Sequence, residues 1–470
     1  MLRHSRPAGR AMIGAATAEP IESRPIPAMP PRPHRRLSAW ELLKTASKNS
    51  LAICDEELFD ELIVSRWYLL QPVIFVSDPV GIKRVLTDQF DNYPRVSSIR
   101  RLFEVELRTG TLASEGETWW RHRLVSTPSI DGRALRPDVP GLIALAETLA
   151  EALGPGPQAP QIDLEKTLVE LAAPLWNHVV TGGDPAGLPI LSWLSKVPRK
   201  PRLSDLLPKP KWLADLIVRP HRDPRIGRLD TQLRAMIDAR REERYAGSKD
   251  LLWRLAQGRD REIGEALPAS EVRDEAASII AGGGSTSSRA LTWMWYLLAH
   301  HPEVESRLHA ELDTVLGGQP LRPEQISELP YTRRVLEEVM RLYPPIPAIL
   351  RQAKRADTVC GHRVPRGAIV IVMPWIVHRH RKLWSDPDRF DPDRFTPENS
   401  VGRPRLAYLP FATGPRVCVG ATFAMTHMLI VTAALARRFR VRLASDKPVV
   451  PYGAISLQPR GGLRVTLERR

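Results

Sequence analysis

The 470-residue chain is 43 % hydrophobic and 26 % charged, the balance of a soluble globular protein with a large core, which excludes disorder and a fibre. Its formal net charge of +15 points to an acidic partner, yet the basic residues are spread along the chain with no Lys/Arg block of the nucleic-acid type. Three widely spaced cysteines, Cys54, Cys360 and Cys418, form neither a disulfide framework nor a CxxC metal site and fit a reducing, cytoplasmic setting.

Residues 1–36 hold seven arginines and the cluster Pro30-Pro31-Arg32-Pro33. The first eighteen are acid-free like a transit peptide, but the composition favours a mobile solvated tail. No apolar run approaches the roughly 18 to 20 residues of a membrane span, so no transmembrane anchor is expected. The fold is expected to begin near Leu37 and to run as one unit over 37–470. Trp67 to Arg84 reads as a β-hairpin split at Gln71-Pro72, then a helix opened by Ser77-Asp78-Pro79. Between about 137 and 325 the periodicity is helical, as in Leu142–Leu153, Leu164–Val180, Leu229–Tyr245 and Val272–Leu298. Val197–Arg228, rich in Pro and basic residues, reads as a surface connection or a lid. Strand-like alternation returns at Arg363–Val372 and Arg438–Leu467. The fold class is therefore mainly α with a minor β part.

Val272–His300 reads as one long helix, although Gly282-Gly283-Gly284 in its middle costs roughly 3 kcal/mol relative to alanine. A break between two helices is the alternative. On the helix ending at Leu342-Tyr343-Pro344-Pro345, Glu338 and Arg341 are spaced i, i+3 and share a face. Phe411-Ala412-Thr413-Gly414-Pro415-Arg416-Val417-Cys418-Val419-Gly420 precedes a nearly all-apolar helix over Ala421–Phe439, which must be buried. Cys418 sits just before that helix's N-terminus, where free N–H groups and Arg416 favour a thiolate. Gly414 permits a tight turn and Gly420 a close approach of something flat. One thiolate without neighbouring ligands cannot build a structural zinc site; the other ligands of any metal must come from a cofactor.

This run resembles the haem-binding loop of the cytochromes P450, the haem-thiolate monooxygenases. All five specified positions of their Phe-x-x-Gly-x-Arg-x-Cys-x-Gly pattern match, and the likeness extends from about residue 30 to the C-terminus. It implies the family fold, a single helix-rich haem domain with small antiparallel sheets, and haem b, iron protoporphyrin IX, with Cys418 as the iron's ligand. Thiolate ligation pushes electron density towards O–O cleavage. Phe411 and Gly420 complete the loop. The resemblance makes Glu338, Arg341 and Arg394, the last within Pro392-Asp393-Arg394-Phe395, a buried ionic network with Asp393 in place of the usual Glu. It directs Trp119 and Arg123, from a Trp-x-x-x-Arg helix, together with Arg351 and Arg416 to the haem carboxylates. Trp120 and His122 are substitutes if the register slips.

On the oxygen side the family pattern Ala/Gly-Gly-x-Asp/Glu-Thr-Thr/Ser begins at Ala281-Gly282-Gly283, placing Gly284 at the acid and Ser285 at the alcohol, with Thr286 next. Ser285 and Thr286 are the candidate catalytic hydroxyls. The implied reaction is insertion of one atom of O2 into a small hydrophobic substrate, beside Ile346, Ala348 and Ile349. Electrons would come from an acidic ferredoxin or flavodoxin with its reductase, docking at Arg437 and Arg438. Replacement of the acid leaves open a peroxide-driven or redox-neutral isomerase or dehydratase, and a haem-based sensor is the reading from another class.

Overall fold

A computed structural model describes residues 25–68, 70–154, 161–196, 224–242, 249–260 and 262–470. The expected basic connection lies outside them up to position 223. The interior is framed by α1 (Gly116–Ser129), α2 (Val139–Ala152), α3 (Leu164–Thr181), α4 (Pro224–Ala239), α5 (Ala269–Gly283), α6 (Thr286–His300), α7 (Pro302–Leu316), α8 (Pro330–Leu342) and α9 (Ala421–Ala436). Four small sheets lie around them. The largest orders β1 (Ile63–Tyr68), β2 (Gln71–Val76), β7 (Ile369–Val372) and β4 (Ile349–Gln352), antiparallel except for the β2–β7 pair. In the others β11 (Arg464–Arg469) lies between β3 (Ile162–Asp163) and β8 (Phe439–Leu443), β9 (Pro451–Gly453) pairs with β10 (Leu457–Pro459), and β5 (Asp357–Val359) with β6 (His362–Val364).

The hairpin begins earlier than the proline suggests: its turn precedes Gln71, and Pro72 lies inside β2 opposite Trp67. Pairing of β2 with β7 starts only at Val73, so Pro72 sits beyond the reach of that ladder. Asp78 accepts from the N–H groups of Val80 and Gly81, with Pro79 opening the short helix that follows.

α6 is buried almost all round and packs against α3, α8 and α9. Its Trp293 ring stacks on Tyr343 with centroids 4.0 Å apart. α9 is likewise buried from Phe423 to Ala436, as its apolar composition requires. α8 stops before Pro344-Pro345 because a residue ahead of proline is forced out of the helical region, and Glu311 on α7 caps its start by accepting from the Tyr331 and Thr332 N–H groups.

Two expectations are revised. Residues 25–36 lie on the body: the Tyr343 hydroxyl donates to the Ala28 carbonyl at 2.9 Å, and Arg32 bridges to Asp388 at 2.7 Å while covering the Phe59 ring. The segment Val272–His300 is two helices, because Gly284 and Ser285 fall between α5 and α6 and Ser285 has φ −130°.

The charged trio forms a closed core. Glu338 and Arg341 are fully buried, and Arg394 is 7 % exposed. Arg341 donates to both carboxylate oxygens of Glu338 at 2.6 and 2.8 Å and to the carbonyls of His378, Pro387 and Arg389; Arg394 Nε reaches Glu338 at 3.0 Å. Arg341→Met would strip those carbonyls and unbalance Glu338. It should lower the unfolding free energy by roughly 3 to 5 kcal/mol, measured by urea denaturation.

Three histidines are held neutral. Burial, then the Arg341 charge, pushes His378 to about 3; burial pushes His427 and His309 to about 4. The unfolded value is near 6.5, so below it the unfolded chain takes protons that the folded chain refuses. The stability these groups contribute is therefore full above pH 6.5 and is lost as pH falls towards 4. His427 Nδ1 is buried without a hydrogen-bond partner. His427→Leu should reduce the loss of stability between pH 7 and pH 5 by about 2 kcal/mol, read from denaturation curves at the two pH values.

Candidate functional site

The cysteine loop is pinned at both ends. Leu409 donates its N–H to His378 Nε2 at 2.9 Å, and the Cys418 N–H returns to the Phe411 carbonyl at 2.9 Å. Gly414 has φ +74°, and a Cβ there would lie 2.0 Å from the Leu86 carbonyl oxygen, so only glycine fits. At Gly420 a Cβ would meet only Cys418 Sγ, 4.0 Å away. No protein atom demands that glycine; its missing side chain leaves room beside the sulfur.

Cys418 opens into an internal cavity of about 470 Å³. Burial raises its thiol pKa, opposed by the Gly420 backbone N–H and the Arg123 charge. Arg416 does not assist the sulfur as expected: its guanidinium pairs with Glu115 and lies 4.0 Å over the Trp119 ring.

Trp119 and Arg123, spaced i, i+4 on α1, both line the cavity with Arg351 and Arg416. Trp120 instead bonds Glu262, and the buried His122 ring lies between Glu271 and Glu275. Neither lines the cavity. Two members of the rim went unread in the sequence, Arg95 and Glu115. Arg95 Nε bonds Glu115 at 2.9 Å, and its strand-like backbone bridges Arg351. Arg95 stands outside any helix motif, so only its place beside Pro94 ahead of the Trp-x-x-x-Arg helix could have drawn notice.

Four guanidiniums thus line the cavity, and two of them, Arg95 and Arg416, share the Glu115 carboxylate. Burial opposes ionisation of Glu115, yet Arg416 and Arg95 pull its pKa below the usual value. Burial, then Arg95, lowers Arg351 to about 10 and Arg416 to about 9. Arg123 and Arg351 bond only to the Val417 and Leu350 carbonyls, with no carboxylate partner among the described residues. Such a donor set calls for an anionic ligand. The two carboxylates of a haem fit it, and the room beside Gly420 and Cys418 Sγ fits the iron.

On the opposite wall Ser285 and Thr286 line the cavity at the break between α5 and α6. The Thr286 hydroxyl donates to the Gly282 carbonyl at 3.1 Å, spanning the gap in the ladder. The hydroxyl that spans the break is thus that of Thr286, with Ser285 before it, one position on from the expected pair Gly284 and Ser285. Ile346 and Ile349 line the cavity, whereas Ala348 packs against the main core. Arg437 and Arg438, the expected docking pair, are partly tied up within the chain. Both converge on Glu147, with side chains 19 % and 21 % exposed.

A family model described as Cytochrome P450 matches residues 30–463. The chain is similar to cytochrome P450 132 of Mycobacterium tuberculosis strain H37Rv, 30 % identical over 379 residues, covering 76 % of this chain and 80 % of that one. It is 34 % identical over 248 residues to cyclooctatin synthase of Streptomyces melanosporofaciens, covering 53 % and 54 %. It is 34 % identical over 221 residues to pentalenene oxygenase of Streptomyces avermitilis, covering 47 % and 49 %. The matches to the last two thus span about half the length of each relative.

Arg351→Met removes a rim cation whose hydrogen bond is only to its own neighbour. Loss of one charge-assisted contact worth about 1.5 to 3 kcal/mol should speed haem transfer to apomyoglobin by about tenfold or more, without lowering the thermal midpoint of the apoprotein.

Proposed function

The chain belongs to the cytochrome P450 family, and from that premise we propose that it is a haem-thiolate monooxygenase acting on a hydrophobic small molecule, with electrons from a separate protein. The observation that carries this is the cavity itself, which joins Cys418, the arginines of its rim and the two hydroxyls at the helix break in one space. Haem b, when bound, would supply the iron chemistry that activates O2. Cys418 would ligate the iron as a thiolate. The Gly420 N–H would then hold the sulfur's charge. Trp119, Arg123, Arg351 and Arg416, with Arg95, would orient the carboxylates, while Phe411 and Gly420 flank the ring.

Thr286 Oγ1 and Ser285 Oγ would carry protons across the oxygen side. Thr286 can exchange its bond to the Gly282 carbonyl for one to a reacting oxygen, and Ser285 supplies a second hydroxyl where the family pattern has an acid. Glu338, Arg341 and Arg394 would hold the segment preceding the cysteine loop rigid; none of them lines the cavity.

Apolar side chains such as Phe103, Leu107, Ile279 and Ile346 form much of the wall and support a hydrophobic substrate. One relative is named for oxygenating pentalenene. The net charge of +15 supports an acidic ferredoxin or flavodoxin as electron donor. No described helix is long and apolar enough to cross a membrane, and we place the protein in the cytoplasm.

The test is spectroscopic. The reduced holoprotein should give the red-shifted carbon-monoxide band of a thiolate-ligated haem, and Cys418→Ser should abolish it. Persistence of the band in that variant would overturn the assignment. Turnover with a ferredoxin and reductase is expected to exceed turnover with hydrogen peroxide; the reverse order would favour the peroxide-driven reading that Ser285 at the acid position suggests.

A further inference from the structure

A fifth arginine, Arg289 on α6, lines the cavity apart from the rim, sharing no bond with Arg95, Arg123, Arg351 or Arg416. We infer that Arg289, Ser285 and Ser456 form a recognition corner for a neutral oxygen acceptor, so that the substrate is a hydrophobe already bearing a ketone or hydroxyl oxygen. This rests on the monooxygenase reading and adds the substrate class.

The hydrogen-bond directions carry the inference. Arg289 Nε donates to Glu165 Oε1 at 3.2 Å, and Nη1 donates to Ser285 Oγ at 3.4 Å and to Ser456 Oγ. Each hydroxyl accepts from the guanidinium, so its own proton is left to point elsewhere. Neither serine donates to a described residue, and Nη2 makes no bond to one. The corner therefore presents donors on three groups, contributed by α6, the helix break and the turn between β9 and β10. Its complement is an acceptor.

Charge selects among acceptors. Glu165 already balances Arg289, and the side chains are 17 % and 15 % exposed. A carboxylate placed there would add a negative charge without its own counter-ion in a largely apolar cavity, an expensive arrangement. A ketone or alcohol oxygen takes the donors at no such cost. The same polar cluster would be left with idle donors by a pure hydrocarbon, which is how a hydrogen-bonding site rejects an analogue lacking the group.

The experiment measures binding to the holoprotein by isothermal titration calorimetry, using matched pairs that differ only in the acceptor. The pairs are cyclododecanone against methylenecyclododecane and cyclopentadecanone against methylenecyclopentadecane, with cyclododecanecarboxylate as the charged probe. The ketone should bind about tenfold more tightly than its methylene partner, and more tightly than the carboxylate. Replacing the pair together, Arg289→Leu with Glu165→Leu, should bring ketone and alkene to equal affinity. Ser456→Ala should reduce the preference by a smaller factor and keeps the test alive if the double variant does not fold. Equal binding within each pair, a preference for the carboxylate, or no binding by any pair would overturn the inference. A normal carbon-monoxide spectrum in the same preparation makes such a failure separate from failure of the haem-thiolate reading.

Discussion

A sulfur held in the wall of the main cavity is the constraint on which the rest of this molecule depends. The backbone achieves it with a loop that cannot relax. Gly414 is locked against the Leu86 carbonyl, and Cys418 is tied to Phe411 by a main-chain bond. The chain then enters α9, which is buried on nearly every side and cannot rotate to carry the thiol away. Desolvation is the consequence. Burial raises the thiol's pKa while the Gly420 N–H and the Arg123 charge oppose that rise, so the surroundings that desolvate the sulfur also supply the dipole and the cation that favour its charged form.

Two arginine clusters make opposite use of burial. Around Glu338 the guanidiniums of Arg341 and Arg394 are satisfied by a carboxylate and by several carbonyls, so nothing is left over for a ligand and the cluster acts as a rigid joint. Along the cavity wall the cations outnumber their carboxylate partners among the described residues. Arg95 and Arg416 share the Glu115 carboxylate, while Arg123 and Arg351 have only carbonyls. The lowered pKa values of Arg351 and Arg416 express the same imbalance as mutual repulsion and lost hydration. A dianionic ligand repairs it, and the strength of that repair is set by how far the cations are withdrawn from water.

How much of this was legible in the sequence follows from range. The cysteine loop is local: its glycines, arginine and cysteine lie within ten residues and announce a turn ahead of a helix. The i, i+4 spacing of Trp119 and Arg123 likewise places both on one face without knowledge of the fold. Arg95 and Glu115 were missed because they meet across a loop through a bridge between Arg95 and Arg351, a contact no periodicity encodes. The setting of Arg437 and Arg438 was hidden for the converse reason. Their positive charge is plain in the sequence, but the Glu147 that pairs with both and offsets one of the two charges lies on α2, almost three hundred residues earlier. The start of the ordered body was also set too late, because Pro-rich extended chain reads as a tail until Arg32 finds Asp388 and Phe59.

The helix break shows how a local cost becomes a functional surface. Three consecutive glycines weaken any helix, and the chain responds by interrupting the ladder between α5 and α6. The interruption exposes the Gly282 carbonyl, which the Thr286 hydroxyl covers, and releases Ser285 from regular helical geometry at φ −130°. Freed from the helix, Ser285 comes within reach of Arg289 one turn later. An acid at this position would have formed an ion pair with that arginine and drawn it away from Glu165. A serine leaves the Arg289 and Glu165 pair intact and contributes only a hydroxyl, so the residue that departs from the family pattern is also the one that keeps this part of the cavity electrically neutral.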